Sequence, residues 1–268
     1  MTRARPTGNR RFLFAQAGLL VLLAGVLGCA PAADEAPDAQ AIVDQAIERH
    51  GGDVLDHSVV TFTFRGDEYR VERDGAQFEY TRTYEDDDGH LVQEVLSNDT
   101  LYQTVDNEPV ELTDDERASI QTTVNSVPYF ALLPYNLQDP PVQTAYAGAD
   151  TVRGEPYHRV EVTFEEEGGG DDWQDVFLYW FHQDEHTMDY LAYSFGHQPD
   201  EDFGTRFREA VNVREIRGVR FADYNNYTAD NLGDTLADYS RLLEDNAVEL
   251  VSEVNVEDVE VKALDASP

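Results

Sequence analysis

Residues 174–182 read QDVFLYWFH and residues 187–195 read TMDYLAYSF. In the first run Phe177, Tyr179 and Phe181 alternate with Val176, Leu178 and Trp180, so a strand here is apolar on both faces. Such a strand lies in the middle of a sheet that is covered on both sides. The short link Gln183–His186 makes the two runs a hairpin. The flanking chain carries the same signal. Before the hairpin, Val142–Tyr146, Thr151–Arg153 and Pro156–Glu165 read as strands, followed by a flexible loop, Glu165–Asp172. After it, Thr205–Arg214 and Val219–Thr228 pair through Arg217-Gly218, and Val248–Val256 and Val259–Val261 supply late strands. The first half is a meander of Ser58–Arg65, Glu68–Arg73, Gln77–Tyr84, His90–Leu96, Leu101–Val105 and Pro109–Leu112. Gly66-Asp67, Asp74-Gly75 and Asp88-Gly89 mark its turns.

Helices are few. Ala41–His50 places Ile42, Val43, Ala46, Ile47 and His50 on one face and stops at Gly51-Gly52. Thr113-Asp114-Asp115-Glu116 is a capping box that opens a helix running to about Ser126. The apolar stretch Val127–Tyr135, broken by Pro128 and Pro134, reads as a short plug against the sheet. Asp234–Leu243 is helical, with Leu236, Tyr239 and Leu243 on one side. Roughly ten to twelve strands and about three helices predict an α+β fold, because a sheet that long must twist and curl. We expect a long, curved, mostly antiparallel sheet, a half-open barrel around an apolar interior, with helices covering one face. One domain spans residues 40–262, and residues 263–268 form a free tail.

The chain begins differently. Met1–Arg11 is basic and polar, and Phe12–Leu27 is nearly unbroken apolar sequence, which reads as a secretory signal occupying residues 1–28. The run ends in Val26-Leu27-Gly28-Cys29, which resembles the lipobox of bacterial lipoproteins, and Cys29 is the single cysteine of the chain. That resemblance implies lipidation at Cys29 and a membrane attachment through acyl chains. Ala30 after the cysteine favours the outer membrane, facing the periplasm. Arg10-Arg11 ahead of Phe12-Leu13-Phe14 also weakly resembles a twin-arginine export signal. Residues 29–39, rich in Ala, Pro and acid, form a flexible tether.

Charge excludes a class of partner. The 268 residues hold 54 acidic and 19 basic side chains, a net of −35. Without residues 1–28, which hold four arginines and no acid, fifteen basic residues face 54 acidic ones and the net charge is −39. Such a surface repels phosphate backbones, so nucleic acid is not a partner. Lys262 is the only lysine, and acid excess with almost no lysine resembles the proteomes of extreme halophiles. Salt would mute the self-repulsion.

Catalytic signatures are sparse. The sequence contains no P-loop, GxSxG elbow, HExxH or CxxC, and Lys262 lies too near the end of the chain for Schiff-base chemistry. We therefore expect no cofactor and no metal. His182-Gln183-Asp184-Glu185-His186 is ligand-rich but spans a turn, and neither Glu85–His90 nor Glu165–Asp172 has EF-hand spacing. Tyr129, Phe130, Leu132 and Leu133 in the plug, with Trp180 and Tyr190 in the hairpin, are candidates to line or close a cavity; core packing is the alternative. Asp189, Tyr193, Arg206, Arg208 and Asn225 fall on three consecutive strands and are candidates for the polar end of that cavity, where a head group would sit. A structural ladder of ion pairs would place the same residues there.

The opening helix through His50-Gly51-Gly52, Tyr129-Phe130 with Leu132-Leu133-Pro134-Tyr135, Asp189–Tyr193, Arg206-Phe207-Arg208 and Asp223–Tyr227 together resemble a family of bacterial envelope proteins. The likeness covers most of residues 40–255, and the family has no assigned activity to transfer. More distantly, the helix-then-meander layout is similar to the LolA/LolB lipoprotein carriers, whose curved sheet and helical lid enclose acyl chains. This resemblance implies a lipid-anchored envelope protein that binds or carries a hydrophobic small molecule, lipid or lipoprotein. An envelope hydrolase using carboxylate or His residues, and a non-catalytic scaffold lipoprotein, remain the alternatives.

Overall fold

The computed structural model describes residues 36–170, 172–196, 203–230, 232 and 235–264. The chain divides into two units, Met1–Glu35 and Ala36–Pro268, and every described residue belongs to the second. The signal segment, Cys29 and the last four residues lie outside the described residues.

Helix α1 (Ala39–Arg49) starts where the Asp38 carboxylate accepts the Gln40 N–H at 3.0 Å, and a short α2 (Gly52–Leu55) follows. Between them Gly51 has φ +90°, and a Cβ there would stand 2.3 Å from the Gly218 carbonyl oxygen, so only glycine lets the helix end dock on that turn. Six strands then form the meander: β1 (His57–Phe64), β2 (Asp67–Asp74), β3 (Gln77–Glu85), β4 (Leu91–Ser97), β5 (Leu101–Val105) and β6 (Glu108–Val110). Helix α3 (Asp114–Ala131) opens on the capping box: the Glu116 N–H donates to Thr113 and the Glu116 carboxylate accepts from the Thr113 backbone. A 3₁₀ turn, Tyr135–Gln138, leads to β7 (Val142–Val152), β8 (Glu155–Phe164), β9 (Val176–His182), β10 (Met188–Phe195), β11 (Gly204–Ile216) and β12 (Val219–Thr228). The chain closes with α4 (Asp238–Glu244), β13 (Glu249–Val254) and β14 (Glu257–Ala263).

The strands form two antiparallel seven-stranded sheets, ordered β14-β1-β2-β3-β4-β5-β6 and β13-β12-β11-β10-β9-β8-β7. Neither closes on itself. Only Asn255 and Val256 separate β13 from β14, so the edge strand of one sheet runs directly into the edge strand of the other. The Asp223 carboxylate holds this corner, accepting the Val256 N–H at 3.0 Å and an Arg214 N–H at 3.1 Å, while Arg214 also donates to the Val256 carbonyl. The curved, unclosed antiparallel layout is thus present, with its strands divided at this corner.

One core joins the two sheets. Val60, Phe62, Tyr69, Val71 and Tyr80 from the first sheet meet Val160, Val162, Phe177, Tyr179 and Leu191 from the second, with Val43 and Ala46 of α1 and Val124 of α3 between them. A second cluster covers the other face of the second sheet, where Leu178, Trp180, Tyr190 and Phe207 pack beneath Tyr239 and Leu243 of α4. This is the two-sided coverage that the β9 pattern requires.

Three local features depart from expectation. Helix α3 continues through Pro128 to Ala131 instead of ending near Ser126. Proline forfeits one helical hydrogen bond, but Ile120, Val124 and Pro128 share a buried face, and that burial outweighs the loss. Residues expected as two strands form the single β7, bent by a register shift between Tyr146 and Ala149. Helix α2 lacked any periodic signal, being one turn long.

Candidate functional site

A cavity of about 240 Å³ opens between the last turns of α3, the end of β1, and strands β12 and β13. Its apolar walls are Phe64, Val127, Phe130, Ala131, Val254 and Val256; Arg208, Tyr224 and Asn226 form one side and Arg65 stands at the mouth. Beside it, β9 is closely packed. The rings of Phe177 and Tyr179, and of Tyr179 and Phe181, stack with centroids 6.1 Å apart along β9.

Strand register builds the polar side. Leu191 lies opposite Arg208, and Arg208 opposite Asn226, which in turn pairs with Ser252. All four therefore share the inward face. The Arg208 guanidinium lies 4.6 Å from the Phe130 ring centroid and 5.3 Å from that of Tyr193, and its Nη2 donates to the Tyr193 hydroxyl at 3.2 Å. Phe130 packs 6.1 Å from both Phe177 and Tyr193, so the end of α3 rests on an aromatic bed. Burial pushes the Tyr224 phenol up to about 12.

The sequence candidates fall into separate groups. Phe130 lines the cavity, and Tyr129 packs beside it, edge-on to Phe164 at 6.4 Å. Burial drives the Tyr129 hydroxyl, which has no partner among the described residues, far above its ordinary value. Leu132 and Leu133, only 3% and 4% exposed, are core residues. Trp180 and Tyr190 belong to the cluster on the opposite face: the Trp180 indole donates to Asp150 at 2.8 Å, and Tyr190 stacks on Phe207. Adjacent strand residues point opposite ways, so these two cannot share a wall with Tyr179 or Leu191.

The polar candidates also divide. Arg208 lines the cavity and Tyr193 supports it from the same face. Arg206, directly opposite Tyr193 in register, lies over the Phe195 ring instead. Asp189 is held by Arg220 at 2.7 Å and by hydroxyls of Thr187 and Tyr157, a closed ion-pair network. Asn225 pairs with Glu209 on the face that carries Tyr190, opposite the cavity. Asn226, not Asn225, reaches the cavity with Tyr224; the sequence pointed to their segment, Asp223–Tyr227, but chose the wrong asparagine within it and gave no signal for Arg65. In the ligand-rich turn, His182 accepts the N–H groups of Asp184 and Glu185, bracing its own loop.

Three solved structures are similar in fold. A LolA superfamily protein from Nitrosomonas europaea is 13% identical, with 87% of this chain and 96% of that one covered and a TM-score of 0.46. An outer membrane lipoprotein-sorting protein domain from Vibrio parahaemolyticus is 8% identical, covering 84% and 94%, with a TM-score of 0.42. Lipoprotein LppX from Mycobacterium tuberculosis is 12% identical, covering 59% and 90%, with a TM-score of 0.27. No curated protein matches the chain. The profile of one family does match, over residues 18–258, and the chain therefore belongs to DUF6503, a family of unknown function.

Proposed function

We propose that this is a lipid-anchored envelope protein that binds an apolar ligand in the cavity beneath the end of α3. The observation that carries the reading is the space of about 240 Å³, walled by six apolar side chains where the end of α3 meets both sheets. It lies just below the roughly 300–1,000 Å³ of typical ligand pockets, so it receives part of a long chain, and the last turn of α3 must lift to admit more. Phe130, in the last turn of α3 and held by tilted contacts with the rings of Phe177 and Tyr193, is the wall that moves. The lining offers the Ser126 hydroxyl but no carboxylate or imidazole to activate it, which favours binding over hydrolysis.

Attachment at Cys29, with the domain facing the periplasm from the outer membrane, completes the proposal. Two or more acyl chains at about 0.8 kcal/mol per CH₂ would make the anchor durable. Metabolic labelling with a tagged fatty acid should mark the wild-type chain and not Cys29→Ser. The cavity is tested by titrating the chain from Ala36, which contains the whole described core, with a fluorescent fatty acid. Saturable uptake that Ala131→Phe blocks by filling the space is the expected result. No saturable uptake at low or molar KCl would overturn the reading.

A further inference from the structure

The cavity beneath α3 inverts the charge of the molecule around it. The chain has 54 acidic side chains against 19 basic ones, and four other clefts each include a carboxylate, among them Glu68, Glu161, Asp99 and Asp56. The cavity is lined by two arginines, Arg65 and Arg208, and by neither Asp nor Glu. Arg208 is half-buried, yet among the described residues its only polar partner is the Tyr193 hydroxyl, and its Nε is buried without any. A cation withdrawn from water normally takes a carboxylate partner. Here the two aromatic rings hold the guanidinium in place and leave its charge uncompensated.

We propose that the cavity selects an amphiphile with one alkyl chain and a carboxylate head, the head held by Arg208 with Arg65 at the entrance and the chain against Phe130, Val254 and Val256. The inference rests on the reading that this cavity binds apolar ligands. Size limits it to one chain. The planar guanidinium matches a carboxylate fork to fork, and one interior cation balances one negative charge, whereas a phosphate monoester carries about −1.5 to −2 near neutral pH.

The test titrates the chain from Ala36, in molar KCl at neutral pH, with dodecanoate, dodecanol, dodecyl phosphate and dodecyltrimethylammonium, each displacing a fluorescent apolar probe. Dodecanoate should bind at least about tenfold more tightly than dodecanol, since a charge-assisted contact is added to the same chain. The cationic analogue should be the weakest. Arg208→Met should erase the dodecanoate advantage while dodecanol still binds; Arg117→Met, on the exposed side of α3, should leave it intact. Equal affinity for dodecanoate and dodecanol would overturn the proposal and leave apolar binding standing. Dodecyl phosphate binding more tightly than dodecanoate would overturn the choice of carboxylate. Failure of every probe to bind would instead defeat the underlying function. Should Arg208→Met not fold, the wild-type ranking decides alone.

Discussion

Acidifying the protein should expose the cost of keeping His50 neutral. This imidazole ends α1, is 3% exposed, and accepts the Met188 N–H at Nε2, 3.1 Å away. Burial, helped by the charges of Arg220 and Arg49, lowers its pKa from 6.5 to about 3. The unfolded chain therefore binds a proton below pH 6.5 that the folded chain refuses until about pH 3. Stability from the neutral ring is complete above pH 6.5 and declines as pH falls toward 3, by about 1.4 kcal/mol per unit. Between pH 6.5 and about pH 5 the loss is about 2 kcal/mol. His50→Gln provides the reference, because its amide oxygen can accept the same N–H and does not titrate. Both proteins are unfolded in urea across this range, in molar salt, where a Debye length of about 3 Å mutes the surface carboxylates common to both. The wild-type advantage should shrink by about 2 kcal/mol over that interval. Parallel pH profiles for the two chains would refute the argument.

Three further outcomes follow from named contacts. Asp223→Asn should cost about 2–3 kcal/mol in urea unfolding and speed amide exchange at Val256, because Arg214 loses its buried counter-charge at the corner between the sheets. Leu132→Ala should cost about 2–5 kcal/mol, read from the same unfolding curves, yet leave ligand affinity unchanged, since Leu132 fills the core and does not line the cavity. Molar KCl should raise the melting temperature and also accelerate association of dodecanoate, measured by stopped flow, because the acidic surface repels an anion until salt screens it.

The sequence carried most of the fold because its signals are local. Alternation in residues 176–181 places Phe177 and Tyr179 on one face and Leu178 and Trp180 on the other, and the structure fills both. Thr113 and Glu116 mark their helix start in four residues. The site was less legible, because it depends on register across non-local strands. The register shift between Val211 and Arg214 settles which asparagine meets Arg208, and one residue of slip exchanges Asn225 for Asn226. Separating Trp180 and Tyr190 from the cavity needed only strand parity. Assigning Asp189 to Arg220, thirty-one positions away, needed the tertiary structure.

Photo-crosslinking locates the bound chain in the fold. A fatty acid carrying a diazirine on its chain is bound to the chain from Ala36 and irradiated, and the labelled peptides are mapped. Ligand in the cavity beneath α3 should give modification within Val127–Ala131 and Val254–Val256, competed away by unlabelled dodecanoate. Labels confined to the α4-covered face around Trp180, or labels that dodecanoate does not displace, would contradict it.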